Sequence, residues 1–254
     1  MKQGFIIPVY RHGKSACLIA QRLTAMGLPV ILVDDGNDEQ TQKELAEFTE
    51  STSGVFLARL EKNCGKGGAV IRGLQKAAEL ELSHALQIDA DGQHDTAMVK
   101  FFLEESAKFP DKVICGYPEF DQSAPMSRIR GRKISVFWGA VVTLSMEYKD
   151  LLCGFRVYPV DKALRAAKSF FIDKRMGFDP EILVRLYWKN VLPVYHPIKV
   201  IYPKDGISNF NMINDNIRIS WTFARLFIGM LFRFPLLVAR KIKRRKAITM
   251  VNNS

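Results

Sequence analysis

Short apolar runs alternate with stretches of helical length through the first half of the chain. Phe5-Ile6-Ile7-Pro8-Val9-Tyr10 is the first run, Val30-Ile31-Leu32-Val33 the second and Val55-Phe56-Leu57-Ala58 the third. Leu86 to Ile88 ends a fourth, and Val113-Ile114-Cys115-Gly116-Tyr117 makes a fifth. Continuous apolar runs of this length, bounded by turn residues, fit strands buried on both faces. Between them the pattern predicts helices from Ser15 to about Met26, from Thr41 to about Ser51, from Gly65 through about Leu80, and from Thr96 to about Lys108. Ser15 is a suitable cap for the first, and Gly27 and Pro29 stop it. Strands and helices alternating at these spacings predict an α/β chain with a doubly wound, mostly parallel, Rossmann-like sheet.

The second half is less regular. Ser127-Arg128-Ile129-Arg130-Gly131-Arg132-Lys133 packs four cations ahead of an apolar helix from Val136 to about Leu144, and Val194 to Tyr202 reads as a further strand. His196, in that strand, has no second His or Cys at ligand spacing and reads as a packed residue rather than a metal ligand. Beyond it the hydrophobic pattern changes character. If residues 216–234 are helical, Arg218, Thr222, Arg225, Gly229 and Arg233 fall on one narrow stripe, while Trp221, Phe223, Phe227, Leu231, Phe232 and Phe234 cover most of the remainder.

At 254 residues the chain is long enough for one α/β domain with a substantial core, or for one domain plus an appendage. We expect a catalytic-size domain over residues 1–215 and an amphipathic helix with a polybasic tail over 216–254. The net charge of +11 is uneven: from Ile201 onward ten Lys or Arg stand against Asp205 and Asp215, so +8 of the +11 lies there. Trp221 to Ala239 is nearly long enough to span a bilayer, but Arg225, Arg233 and Pro235 argue against a free span. The tail reads instead as an interfacial helix, followed by six cations in Arg240-Lys241-Ile242-Lys243-Arg244-Arg245-Lys246 that favour an anionic membrane surface. The alternative is a helix packed in the core or at a homodimer interface, followed by a disordered basic end. Nucleic acid is not an expected partner, since the cations are not interleaved with aromatics on a reading surface.

Cys17, Cys64, Cys115 and Cys153 are far apart with no Cys-x-x-Cys pair, which indicates neither a zinc site nor a disulfide framework and fits reduced thiols in the cytosol. The apolar run at the amino terminus is too short for a signal peptide and serves better as a first strand.

Candidate chemistry gathers where the predicted strands end. Asp89 and Asp91, in Gln87-Ile88-Asp89-Ala90-Asp91-Gly92-Gln93-His94-Asp95, follow the fourth run and would emerge at the carboxyl edge of the sheet, where such folds hold ligands. Two carboxylates one residue apart, with the amide oxygen of Gln93 nearby, suit a hard divalent cation that keeps positions open for phosphate oxygens. Asp-Gly turns are also commonly only solvated or capping. Asp34-Asp35 after the second run and Tyr10 after the first would lie along the same edge. Gly65-Lys66-Gly67-Gly68 offers backbone donors and a cation at a helix start, which favour an anion, although its glycines could merely allow close packing. It is not a Walker A loop, and no Gly-x-Gly-x-x-Gly follows the first strand, which disfavours an NAD-dependent oxidoreductase.

Ile6-Ile7-Pro8-Val9-Tyr10, Val33-Asp34-Asp35-Gly36-Asn37-Asp38, Asn63-Cys64-Gly65-Lys66-Gly67 and Asp89-Ala90-Asp91-Gly92-Gln93-His94, in this order and spacing, resemble an inverting family 2 glycosyltransferase with the GT-A fold. The chain is most similar to the dolichol- or polyprenol-phosphate mannose synthase branch, over roughly residues 4–215. The resemblance implies that Pro8 and Tyr10 flank the nucleotide and that Asp35 hydrogen-bonds its base. It further implies that Lys66 sits near the donor, that Asp89 and Asp91 hold Mg²⁺ or Mn²⁺ against the diphosphate, and that Gln93 is a further metal ligand.

Asp150-Leu151-Leu152-Cys153-Gly154-Phe155-Arg156 resembles the Asp-x-x-x-Gly-Phe-Arg segment of the same branch, so Arg156 and Arg132 are candidates to face an acceptor phosphate. Asp179 aligns with the general base of relatives that glycosylate an alcohol, with Glu181 a neighbouring candidate. Phe178 stands where those relatives carry Glu, and Asp179 followed by Pro180 is also a sound helix start. A phosphate acceptor is ionised at neutral pH and needs no base. The Gln-x-x-Arg-Trp signature of processive synthases is missing, so transfer of a single sugar is expected.

The expected activity is transfer of one sugar, with inversion, from UDP- or GDP-sugar to a lipid-linked acceptor, a polyprenyl phosphate, by an enzyme peripherally attached to the inner face of the cytoplasmic membrane. The alternatives are transfer to a lipid or small-molecule hydroxyl with Asp179 as base, and a membrane-bound nucleotide-sugar binding module without turnover.

Overall fold

The computed structural model describes residues 1–92, 96–119, 126–168, 171–199 and 213–252; of Ser127, Arg128, Arg245 and residues 247–252 only the backbone is described. Among these residues the strands β1 (Gln3–Val9), β2 (Val30–Asp35), β3 (Val55–Leu60), β4 (His84–Gln87), β5 (Val113–Glu119), β6 (Arg156–Pro159) and β7 (Pro193–Lys199) form one sheet. Its order is β3-β2-β1-β4-β6-β5-β7. Every pairing is parallel except those of β6, which runs antiparallel to both β4 and β5. The helices are α1 (Gly13–Thr24), α2 (Glu39–Ser51), α3 (Lys66–Glu79), α4 (Val99–Lys108), α5 (Met126–Thr143), α6 (Val160–Ala167), α7 (Phe178–Trp188) and α8 (Asn214–Asn252).

Alternate residues of the strands enter two cores, one on each face of the sheet. Phe5, Ile7 and Val9 of β1, with Val30 and Leu32 of β2, pack against α1 and α4. Ile6, Ile31 and Val33 face the other way, toward α3, α6 and α7. Both faces are covered, which explains why the strands read as unbroken apolar runs. The chain leaves β3 at one edge and returns as β4 on the far side of β1, so the topological switch point lies between β1 and β4. Their carboxyl ends carry Tyr10 and Asp89.

The second half departs from the sequence pattern, and helix α6 has no counterpart in it. Strand β6 was not expected: it is only four residues long and begins with a charged residue. Helix α5 begins at Met126 instead of Val136, so Arg130, Arg132 and Lys133 lie within its first turns rather than ahead of it.

Helix α8 is the one described helix long and apolar enough to cross a membrane by length and composition. Thr222, Phe223, Leu226, Met230 and Leu237 are buried on the domain, the last four within the core shared with α7. Residues 222–237 therefore pack along one side with the rest of the chain. The other side exposes Trp221, Ile228, Leu231, Phe232, Phe234 and Leu236, with Phe232 83% exposed. Arg225 reaches Glu181 on α7, and the Arg233 guanidinium lies 4.6 Å from the Trp188 ring centroid. Thr222 and Arg225 of the predicted stripe thus turn toward the protein beside the apolar Phe223, Leu226, Met230 and Leu237, while Arg218 is exposed. Part of the basic segment is also docked: Arg240 donates to Trp188 O (2.6 Å), Lys241 to Leu144 O (2.8 Å) and Arg244 to the Tyr187 hydroxyl (3.0 Å).

Candidate active site

The carboxyl ends of β1 and β2 are stitched together by Asn37. Its Oδ1 accepts from Arg11 N (2.7 Å), and its Nδ2 donates to Val9 O (2.8 Å) and to Asp34 Oδ1 (2.8 Å). This places half-buried Pro8 and Tyr10 at the switch point, with the Arg11 guanidinium 5.0 Å from the Tyr10 ring centroid.

Asp35, expected to read the base, directs its carboxylate into the 63–65 turn. It is 2% exposed, and its carboxylate accepts from Cys64 N (2.7 Å), Gly65 N (3.0 Å) and Asn63 Nδ2 (3.1 Å). Burial raises its pKa, and the two amides oppose that rise. Asp35 therefore holds the 63–65 turn in shape. Gly65 adopts φ +85°, which only glycine takes up readily, and a Cβ there would lie 2.5 Å from Arg175 Cγ. Gly68 N donates to Lys174 O (2.9 Å). The turn expected to offer an anion its amides thus spends those of Cys64, Gly65 and Gly68 within the protein.

Its cation is likewise engaged. Lys66, the first residue of α3, extends to the edge of β4, where its Nζ lies 2.9 Å from Asp89 Oδ2 and 2.9 Å from Asp179 Oδ2. Burial alone would lower the pKa of this ammonium; Asp179 and Asp89 outweigh burial and hold it above the ordinary lysine range. Three residues from well-separated motifs, Lys66, Asp89 and Asp179, therefore meet at one point.

Around that point Gln87, fully buried, directs Nε2 toward Asp89 Oδ1 (3.4 Å), and its Oε1 has no hydrogen-bond partner. Gly154 closes the cluster. A Cβ there would sit 2.6 Å from Lys66 Nζ, 2.8 Å from Gln87 Nε2 and 2.9 Å from Asp89 Oδ2. Those atoms are side-chain ends that can yield, so Gly154→Ala should disturb alignment more than folding. We expect a loss of about 100-fold in turnover with a stability change below about 3 kcal/mol, read by steady-state kinetics and urea unfolding. Wild-type turnover in this variant would show that the cluster is not part of the reacting geometry.

Arg156 is expected to face an acceptor, and the structure instead buries it at 1% exposure. Its NH1 donates to Asp179 O (2.8 Å) and the Tyr158 hydroxyl (3.2 Å), and its NH2 donates to Leu151 O (2.8 Å). NH1 also lies 3.7 Å from Asp179 Oδ1. Through these bonds the guanidinium fixes the start of α7 and the position of Asp179, while its Nε has no hydrogen-bond partner. Glu181, the neighbouring candidate, is engaged as well. It is fully buried, and its oxygens accept from Arg185, Arg225 and Asp173 N. Asp179 is 4% exposed and held between Lys66 and Arg156, while its Oδ1 has no hydrogen-bond partner.

Arg132 pairs with Asp150, whose other oxygen caps Leu152 N (2.8 Å) and Cys153 N (2.6 Å). It lines a cleft of about 320 Å³ with Lys133, Lys149, Tyr117 and Ile129. His196 packs as expected, edge-on to Phe101 at 4.8 Å between ring centroids and beside Glu105 at 3.0 Å.

Asp89 and Asp91 stand at the carboxyl edge of β4, Asp91 just before Gly92 at φ +73°. Among the described residues no third His, Cys, Asp or Glu joins them in a metal-binding group, and Gln93 lies outside those residues. Two hard oxygen donors beside an orphaned amide oxygen fit a small divalent cation that takes its remaining ligands from phosphate and water. Sequence reasoning missed Gln87 and the contact of Gly154; the one signal for Gln87 was an amide ending an apolar strand.

The geometry has counterparts among known proteins. Residues 6–170 match the family described as Glycosyl transferase family 2. A UDP-N-acetylglucosamine–dolichyl-phosphate N-acetylglucosaminyltransferase of Methanococcus voltae is 35% identical over 242 residues, 88% of this chain and 95% of the relative. A dolichyl-phosphate beta-glucosyltransferase of Dictyostelium discoideum is 31% identical over 164 residues, 61% of this chain. The match spans about half of that relative's length (49%). Among solved structures, glucosyl-3-phosphoglycerate synthase from Mycobacterium tuberculosis, in complex with Mn²⁺ and UDP-glucose, superposes with a TM-score of 0.65 at 10% identity over 90% of this chain and 78% of that one. That likeness shows a mixed α/β GT-A-like fold. The kinship is with dolichyl-phosphate sugar transferases at large rather than with the mannose synthase branch alone. This chain belongs to glycosyl transferase family 2.

Proposed function

We propose that the protein transfers one sugar, with inversion, from a UDP-sugar to a polyprenyl phosphate at the cytoplasmic face of a membrane. The observation that carries the proposal is the Lys66 ammonium, 2.9 Å from both Asp89 and Asp179, which joins the acidic edge of β4 to the start of α7 at the switch point. The choice of UDP follows the Methanococcus voltae relative, whose similarity extends over most of both chains.

Asp89 and Asp91 would hold Mg²⁺ or Mn²⁺, which would neutralise the departing diphosphate and so lower the barrier to breaking the anomeric bond. Pro8 and Tyr10 border the nucleotide. An oxygen of the acceptor phosphate forms the new bond to the anomeric carbon as the bond to the donor's β-phosphate oxygen breaks and its electron pair leaves with UDP. No proton need be removed from such an acceptor. That suits an Asp179 already committed to Lys66 and Arg156. Lys133 and Lys149, exposed at the cleft beside Arg132, supply positive charge for the acceptor's phosphate. The outward apolar face of α8 would bring the enzyme to the lipid surface.

The unpartnered Asp179 Oδ1 favours one second reading, in which Asp179 deprotonates a hydroxyl acceptor. Paired assays with a polyprenyl phosphate and the matching polyprenol separate the two. We expect turnover of the phosphate alone, and an acceptor KM raised about tenfold in Lys133→Ala/Lys149→Ala with donor KM unchanged. Preferential turnover of the alcohol would establish the second reading instead.

A further inference from the structure

Residues 171–177 stand between α8 and the turn that carries Lys66. From α8, Arg225 donates through NH1 to Phe171 O and through NH2 to Glu181 Oε2 (3.0 Å). The same Glu181 oxygen accepts from Asp173 N (2.8 Å), and its partner oxygen accepts from Arg185 Nε (2.9 Å). One turn before Arg225, fully buried Thr222 presses on the start of α7: a Cβ on Gly177 would lie 2.5 Å from Thr222 Oγ1.

On its other side this loop meets the donor turn. Lys174 O accepts from Gly68 N (2.9 Å), and Arg175 NH1 donates to Asn63 Oδ1 (3.2 Å). At its end, past Gly177, stands Asp179 with its hold on Lys66. Arg185 already neutralises Glu181 from within α7, so charge balance alone does not call for Arg225. What Arg225 adds is a two-pronged clamp, one arm on a carboxylate and one on a backbone carbonyl, held by the rigid fork of a planar guanidinium where an ammonium would be a single point of attachment.

We propose that Arg225 is a positioning residue. By clamping Phe171 and Glu181 from α8, it sets residues 171–179, and through them the 63–68 turn and the Lys66–Asp179 pair. The seat of the apolar helix on the domain thereby governs the donor site. This rests on the reading of Lys66, Asp89 and Asp179 as the reacting centre, but the first test does not.

Amide hydrogen exchange of ligand-free, full-length Arg225→Gln is compared with wild type. Residues 63–68 and 171–177 should exchange about tenfold faster, while β1 and β2 keep wild-type rates. Wild-type exchange at 63–68, or equal acceleration throughout the sheet, overturns the proposal. If Arg225→Gln does not fold, Arg225→Lys, which keeps the charge and loses the fork, is read in the same way. In transfer assays, Arg225→Lys should recover the thermal midpoint but leave the donor KM raised about tenfold. Recovery of both together would reduce Arg225 to a stabilising charge. Absence of UDP binding by the wild type would instead overturn the reading of the site and leave the exchange result standing.

Discussion

Lys66→Met should be the most damaging single substitution in the chain. It removes the cation that Asp89 and Asp179 share and leaves two carboxylates, 22% and 6% exposed, facing each other without it. Breaking a buried ion pair from one side costs about 3–5 kcal/mol, because the stranded charge keeps its desolvation penalty. Metal-free urea unfolding should show a loss of that size. Transfer should fall by about a thousandfold or more, since both the donor edge and the start of α7 lose their common anchor. Adding Asp179→Asn removes one stranded charge, so the double variant should be more stable than additivity predicts by about 1 kcal/mol or more. A single variant with near-normal stability and turnover would mean that the Lys66 contacts are incidental.

Asp91→Ala should lower kcat/KM by about a thousandfold while leaving the fold intact. Asp91 stands in a turn beyond β4 rather than within a core, so its loss removes a hard oxygen donor and little packing. Excess Mn²⁺ or Mg²⁺ should not restore the variant, because the missing carboxylate also orients the diphosphate. Near-wild-type turnover across a range of metal concentrations would remove Asp91 from the metal site.

The regular part of the fold was legible because burial on both faces leaves an unmistakable mark. β1, β2, β3 and β5 are apolar runs closed by glycine, proline or acidic residues, and the helices between them alternate in phase with the two cores. Strand β6 was illegible for a physical reason. Its first residue, Arg156, is charged yet buried, and two of its three hydrogen-bond partners, Leu151 O and Asp179 O, lie in other segments. No local pattern announces that compensation.

The site was legible as a set of positions and only partly as a set of roles. Motifs at the ends of β1, β2 and β4 and at the start of α3 converge as a parallel sheet requires. Direction is what sequence withholds. A carboxylate aimed at ligand and one aimed at its own backbone look alike, and Asp35 turned out to organise Asn63, Cys64 and Gly65, some thirty residues downstream. Arg156 likewise is buried and donates to Leu151 O, Asp179 O and the Tyr158 hydroxyl. In α8 the side facing the protein mixes Thr222 and Arg225 with Phe223, Leu226 and Met230, and what draws Arg225 and Arg233 inward is Glu181 and Trp188, which lie far away in sequence.

Calorimetric titration of the purified protein with UDP and with GDP, each with and without Mn²⁺, and repeated on Asp91→Asn, decides whether the β1–β4 edge is a metal-dependent nucleotide site. Mn²⁺-dependent binding of UDP in preference to GDP, lost in the variant, is the expected result. Binding of neither nucleotide by folded protein in the presence of metal, or equal binding by wild type and Asp91→Asn, would contradict it.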